Sequence, residues 1–116
     1  MARQFTRLTD IQYVASTAGA IYTNASATKT YIKSFILFNG NTSSEVVKLY
    51  NVPDSSGSVG TAGAGNQFSE ITLVAGETFM LDLPYPITLI DTNDTIQAVT
   101  TTASKVTVQI LGDLDA

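Results

Sequence analysis

The sequence predicts an all-β protein: a two-layer antiparallel β-sandwich, of jelly-roll or Ig-like type, with an extended N-terminal arm. Three observations carry this expectation. Apolar residues recur with period two, as on a half-buried strand, and no stretch sustains a helical period. Thr is abundant, and Val, Ile, Tyr and Phe fill most apolar positions; these residues favour strands. Turn signals recur about every 8–12 residues, the spacing of a sandwich or barrel. At 116 residues the chain suffices for one domain, which buries roughly two thirds of the surface exposed when unfolded.

Residues 1–10 read as the arm and residues 11–116 as the sandwich. Around Phe5, Leu8 and Ile11 there is a trace of helical spacing, but Ile11, Tyr13 and Ile21-Tyr22 suit short strands equally. The clearest strand is TYIKSFILFN, residues 30–39, with Ile32, Ile36 and Phe38 on one face and Tyr31, Phe35 and Leu37 on the other. Apolar groups on both faces suit a central strand, or one whose outer side meets another subunit. Asn39-Gly40 tolerates the positive φ of a tight turn, so residues 45–52 (EVVKLYNV) are expected to return as its hairpin partner, ended by Pro53. Residues 54–66 form a connection rich in Ser, Gly and Ala. Residues 68–74 and 77–83 alternate with period two, joined by Ala75-Gly76.

Pro84-Tyr85-Pro86 pairs poorly and belongs at a sheet edge or corner. A short strand over 87–90 follows, then the turn Asp91-Thr92-Asn93-Asp94. Residues 95–101 and 105–111 are expected to make a last hairpin. The predicted core comprises Ile36, Phe38, Val47, Leu49, Ile71, Leu73, Phe79, Leu81, Val106, Val108 and Ile110.

Composition excludes much chemistry. With no Cys and no His, disulfides, zinc sites built on those ligands and histidine-activated nucleophiles are ruled out. Charged residues are 14% of the chain against about 25% in typical domains, so part of the surface is expected to be covered by a partner. Net charge is −4; six Lys/Arg less Arg3 and Arg7 leave four in residues 8–116, against ten Asp/Glu. That balance argues against nucleic acid as a partner. MARQFTRLTD lacks the apolar run of a signal peptide, and no segment has the roughly 20 apolar residues of a membrane helix. A soluble, cytoplasmically made protein without a membrane partner is expected.

SVGTAGAGN, residues 58–66, is the one stretch resembling a nucleotide motif. A phosphate-binding glycine loop follows a strand and opens a helix, whose N-terminal amides meet the phosphate. Here a strand follows, the order is G-x-x-G-x-G, and Gly-Lys-Ser/Thr is missing. The expectation is therefore an interaction loop, with Asp54, Gly60, Gly63, Gly65 and Asn66 as its contact residues, and no cofactor. Asp91, Asn93, Asp94 and Thr95 could form a small calcium loop, but an Asx-type turn accounts for them better. Arg3 and Arg7 flank Phe5, a pattern suited to a tether that pairs guanidinium groups with a neighbour's carboxylates. No catalytic residues are identified, and no enzyme is expected.

The segments TKTYIKSFILFNGNTSSEVVKLYNVP, ITLVAGETFMLDLPYPITLIDTNDTIQAV and SKVTVQILGDL resemble small all-β proteins encoded among tailed-bacteriophage virion genes. The likeness spans roughly residues 29–112 and rests on structural cues: a strand ending in LY, an L-x-A-G-E turn, and D-T-I-Q-A before V-T-V-Q-I-x-G. It implies a virion structural protein. A capsid decoration or cement protein, binding the major capsid protein or other virion subunits as a homo-oligomer, with a trimer favoured, is the leading expectation. The alternatives are a tail, adaptor or fibre-associated component, or a carbohydrate- or receptor-binding module using Tyr22, Tyr31, Tyr50 and Tyr85.

Overall fold

A computed structural model describes the backbone of residues 3–115 and the side chains of residues 6–115. Among the described residues, nine strands lie in two antiparallel sheets: β1 (Arg3–Arg7), β2 (Gln12–Tyr13), β3 (Gly19–Thr23), β4 (Lys29–Asn39), β5 (Glu45–Val52), β6 (Gln67–Leu73), β7 (Thr78–Leu89), β8 (Thr95–Thr100) and β9 (Val106–Asp115). The first sheet has the order β1-β9-β4-β7, with β2 also pairing β9; the second has the order β3-β8-β5-β6. The only helical turn among the described residues is a 3-10 turn, Ala64–Asn66. The all-β, two-sheet architecture read from the periodicity is present.

The connections differ from those expected. β4 and β5 belong to different sheets, as do β8 and β9, so neither pair is a hairpin; each connection arches across the sandwich. A two-residue hairpin turn needs positive φ at its centre, and neither Asn39 nor Gly40 has it. Asn39 instead uses its side chain as a strut. Its Nδ2 donates to the carbonyls of Ser43 (3.0 Å), Leu73 (3.0 Å) and Val74 (3.2 Å), fastening the arch after β4 to the end of β6. Among the described strands, β5 and β6 are the one consecutive pair that shares a ladder.

The core face of β4 also differs. Thr30 and Ile32 are buried, and then Phe35, Leu37 and Asn39, because the register shifts between Ile32 and Ser34. A bulge there adds one residue and reverses the alternation. Ile36 and Phe38, expected inside, therefore point outward, and Phe38 is 42% exposed. Gly112 permits this geometry: a Cβ at that position would run into the Tyr31 carbonyl. Lys33, the bulged residue, reaches the Asp113 carboxylate at 3.1 Å. The remaining core lies as expected at Val47, Leu49, Leu73, Val106, Val108 and Ile110, joined by Ile32, Leu89 and Ile96. Ile71, Phe79 and Leu81 are half-buried against it.

β7 is an edge strand, and residues 83–86 leave its ladder with β4 between Asp82 and Ile87. The two prolines there lack the N–H that pairing needs, which matches the edge position expected for them. At the opposite edge, β1 pairs with β9 from Arg3↔Asp115 to Arg7↔Leu111. The segment expected to project as an arm is thus an edge strand of this chain's own sheet. β9 would otherwise present an open row of N–H and C=O groups there.

Candidate functional site

The glycine-rich connection is folded, and it packs on its own domain. Asp54 N–H donates to Asp94 Oδ1 at 2.8 Å, and Ser55 and Ser58 bridge each other. Ser56 and Gly57 take positive φ, 51° and 91°, to turn the chain between them. From the sheet side, Asn93 Nδ2 donates to Gly57 O (2.9 Å) and Gln97 Nε2 to Gly60 O (2.9 Å). Gly60 sits so close that a Cβ would lie 2.8 Å from Pro53 O and 2.9 Å from Val52 Cγ1. Asn66 closes the loop, its Oδ1 accepting from Gly63 N–H at 2.9 Å. Gln97 and Tyr50 face each other across β8 and β5, and both are buried.

Two buried carboxylates tie the ends of the sandwich. Asp94 accepts backbone N–H groups from Asp54, Ile90 (3.1 Å) and Asp91 (3.0 Å). Burial by itself would raise its pKa; the three hydrogen bonds outweigh this and leave it lowered. Beside it, Asn24 Nδ2 donates to Thr28 O and Asp91 O, and its Oδ1 accepts from Thr30 Oγ1. The Asp91–Asp94 segment is a backbone turn, closed by Asp94 N–H donating to Asp91 O at 3.1 Å, and the Asp94 carboxylate reaches back to the Ile90 and Asp91 N–H groups instead of making the expected Asx-type bond two residues on. At the other end Glu45 accepts from Asn41 Nδ2 (2.9 Å), Thr100 Oγ1 (3.0 Å) and Thr102 N–H (2.8 Å). Its pKa is likewise raised by burial and lowered further by those bonds, with a net fall. Among the described residues no cluster of three or more acidic side chains could hold a metal ion.

The outward face of the first sheet is different in kind. Cross-strand partners share a face, so Tyr13, Thr107, Phe38 and Thr78 make one row over β2, β9, β4 and β7. Gln109, Ile36 and Met80 make the next. Both rows are uncharged, and Tyr13 and Met80 are 62% and 57% exposed. An exposed apolar patch ringed by polar groups marks an interaction surface.

The expected contact residues divide accordingly. Asp54, Gly60, Gly63, Gly65 and Asn66 all lie in the folded loop, with Asp54, Gly63 and Asn66 in its internal hydrogen bonds and Gly60 accepting from Gln97 of β8. Arg7 is exposed and pairs with Asp10 at 3.3 Å, whereas the side chains of Arg3 and Phe5 lie outside the described residues. The four tyrosines share no platform. Tyr22 OH meets Thr30 Oγ1 in the interior (3.1 Å), Tyr50 is buried, Tyr31 lies on the outer side of β4, and Tyr85 stands 86% exposed on β7. Gln97, Asn24 and Glu45 went unread as buried anchors in the sequence, and Asn39 read as a turn residue, since a lone buried polar residue leaves no periodic signal.

The fold defines an all-β sandwich protein. In solved structures the chain is similar to a Bacillus protein described under the words "Bacillus endospore appendages form a novel family of disulfide-linked pili". The TM-score is 0.52 at 16% identity, covering 97% of this chain and 85% of that one. No protein-family model matches the sequence, and no curated protein matches it.

Proposed function

We propose that the protein is a non-enzymatic virion structural protein, a capsid decoration or cement protein that stabilises a phage head by bridging capsid subunits. The observation that carries the reading is the uncharged apolar face around Tyr13, Ile36, Phe38 and Met80, a docking surface on a domain with little charge to spare. The virion assignment rests on the resemblance over residues 29–112. The strand orders β1-β9-β4-β7 and β3-β8-β5-β6 fit a jelly roll, an architecture used by viral capsid proteins. The likeness to an appendage subunit supports a building-block role; this chain has no Cys, so its own contacts are not disulfide-linked.

The test is binding to phage heads lacking the protein, with localisation by electron microscopy. Wild type should decorate heads and raise their resistance to heat. A Phe38→Asp, Met80→Asp double variant should remain folded by circular dichroism and fail to bind. Equal binding of the variant would remove the apolar face from the proposal, and labelling confined to tails would replace decoration with a tail role.

A further inference from the structure

The four outer strands are not equally guarded against pairing. β7 is broken by its two prolines, β3 is five residues long with a register shift between Ala20 and Tyr22, and the β1–β2 edge is interrupted over residues 8–11. β6 has a register shift at Phe68 and one charge, Glu70, but keeps a regular ladder with β5 from Leu73 to Ser69, carries no Pro or Lys, and has no partner on its other side among the described residues. Natural edges normally carry such guards.

The backbone phase of β6 follows from the hydrogen bonds around it. Val46 N–H points to Thr101 Oγ1, on the β8 side of β5, and orientation alternates along a strand. Glu45, Val47 and Leu49 therefore present their N–H and C=O groups to Leu73, Ile71 and Ser69 of β6. Glu70 and Thr72 are left with theirs on the free side. Their side chains lie on the outer face, while Ile71 is half-buried at the open flank of the sandwich, as are Phe79 and Leu81 of β7.

We propose that β6 pairs antiparallel with β6 of a second copy about a two-fold axis at Ile71, joining the two four-stranded sheets into one. In that register Glu70 and Thr72 exchange backbone hydrogen bonds with Thr72 and Glu70 of the other copy, using every free group of the segment. The two Ile71 side chains meet at a close, non-hydrogen-bonded pair and extend the half-open core. The adjacent register centred on Glu70 sets two carboxylates directly opposite, which is destabilising. Backbone phase thus permits the Ile71-centred alignment, and charge disfavours the neighbouring one centred on Glu70. This contact is independent of the virion reading and is testable without capsids.

Native Cys is absent, which makes disulfide trapping clean. Directly opposed non-hydrogen-bonded residues have Cα atoms about 4.5 Å apart, inside the disulfide range of about 4.4–6.8 Å. Ile71→Cys alone should cross-link to a covalent dimer under mild oxidation, and Glu70→Cys should cross-link only when mixed with Thr72→Cys. By sedimentation, wild type should reach twice 12.3 kDa with rising concentration. Thr72→Pro removes only an outward N–H, so it should fold and stay monomeric. A wild type that is monomeric at every concentration, a Thr72→Pro protein that still dimerises, or self-cross-linking by Glu70→Cys alone would overturn the proposal.

Discussion

Replacing Asp94 by Asn removes the carboxylate that holds the start of the glycine-rich loop and the Ile90-Asp91 turn together. An amide retains one acceptor oxygen, so the cheaper orientation keeps the Ile90 and Asp91 bonds and loses that from Asp54. Hydrogen bonds to a charged group contribute about 1.5–3 kcal/mol and neutral ones about 0.5–1.5. One lost charged bond, partly replaced by water at the half-buried Asp54 N–H, and two weakened ones give about 2–3 kcal/mol. For a chain of this size that is roughly 8–12 °C in Tm.

Urea denaturation at neutral pH measures the loss, and repetition in acid isolates its cause. The folded pKa of Asp94 is depressed, so its stabilisation is full above the unfolded value of 3.8 and fades as pH falls through the folded pKa. The gap between wild type and Asp94→Asn should therefore close in strong acid. A gap that stayed the same in acid, or none at neutral pH, would refute the charged-clamp reasoning.

Glu45→Gln should behave in the same direction, losing about 1–3 kcal/mol near neutral pH with the difference fading below the unfolded value of 4.5, as read by the same titration. Leu37→Ala should cost about 2–5 kcal/mol in urea, and Leu81→Ala less, because Leu81 is only half-buried. Gly112→Ala should destabilise by about 1–3 kcal/mol or more through overpacking against the Tyr31 carbonyl, visible as a lowered Tm. Cutting the loop over 54–66 to four residues should cost more than the roughly 0.6 kcal/mol per doubling of length, since it uncovers Gln97. Hydrogen exchange in β5 and β8 should rise with it.

The strands were legible because period-two alternation is a local property. Residues 45–52, 68–74 and 105–111 required only their own side chains to be placed, and the edge position of Pro84-Tyr85-Pro86 followed from the missing N–H groups. Which sheet a strand joins is not local. Alternation says which face is buried and nothing about the neighbour, so Asn39-Gly40 read as a hairpin where the chain arches across. The bulge at Lys33 was hidden for a related reason: it depends on Gly112, about eighty residues away in sequence, which lets the two backbones approach. That a strand follows the glycine loop was legible from the alternation of residues 68–74. The loop's docking on Gln97 and Asn93 depends on groups that only the tertiary structure brings near.

Because β9 lies between β1 and β4 while nearly every connection arches between sheets, the first sheet has no stable intermediate built from neighbours in sequence. Its two earlier strands can meet only through the strand made after all the others. Completing that sheet requires closing a loop of near full chain length between β1 and β9, and contacts distant in sequence dominate the fold, which places the domain among slow-folding topologies, on the millisecond-to-second scale. During that interval β1 and β4 carry uncovered ladders, a state vulnerable to aggregation. Once β9 is seated it is held from both sides by β1 and β4, so the strand made last is also the one whose loss breaks two ladders at once.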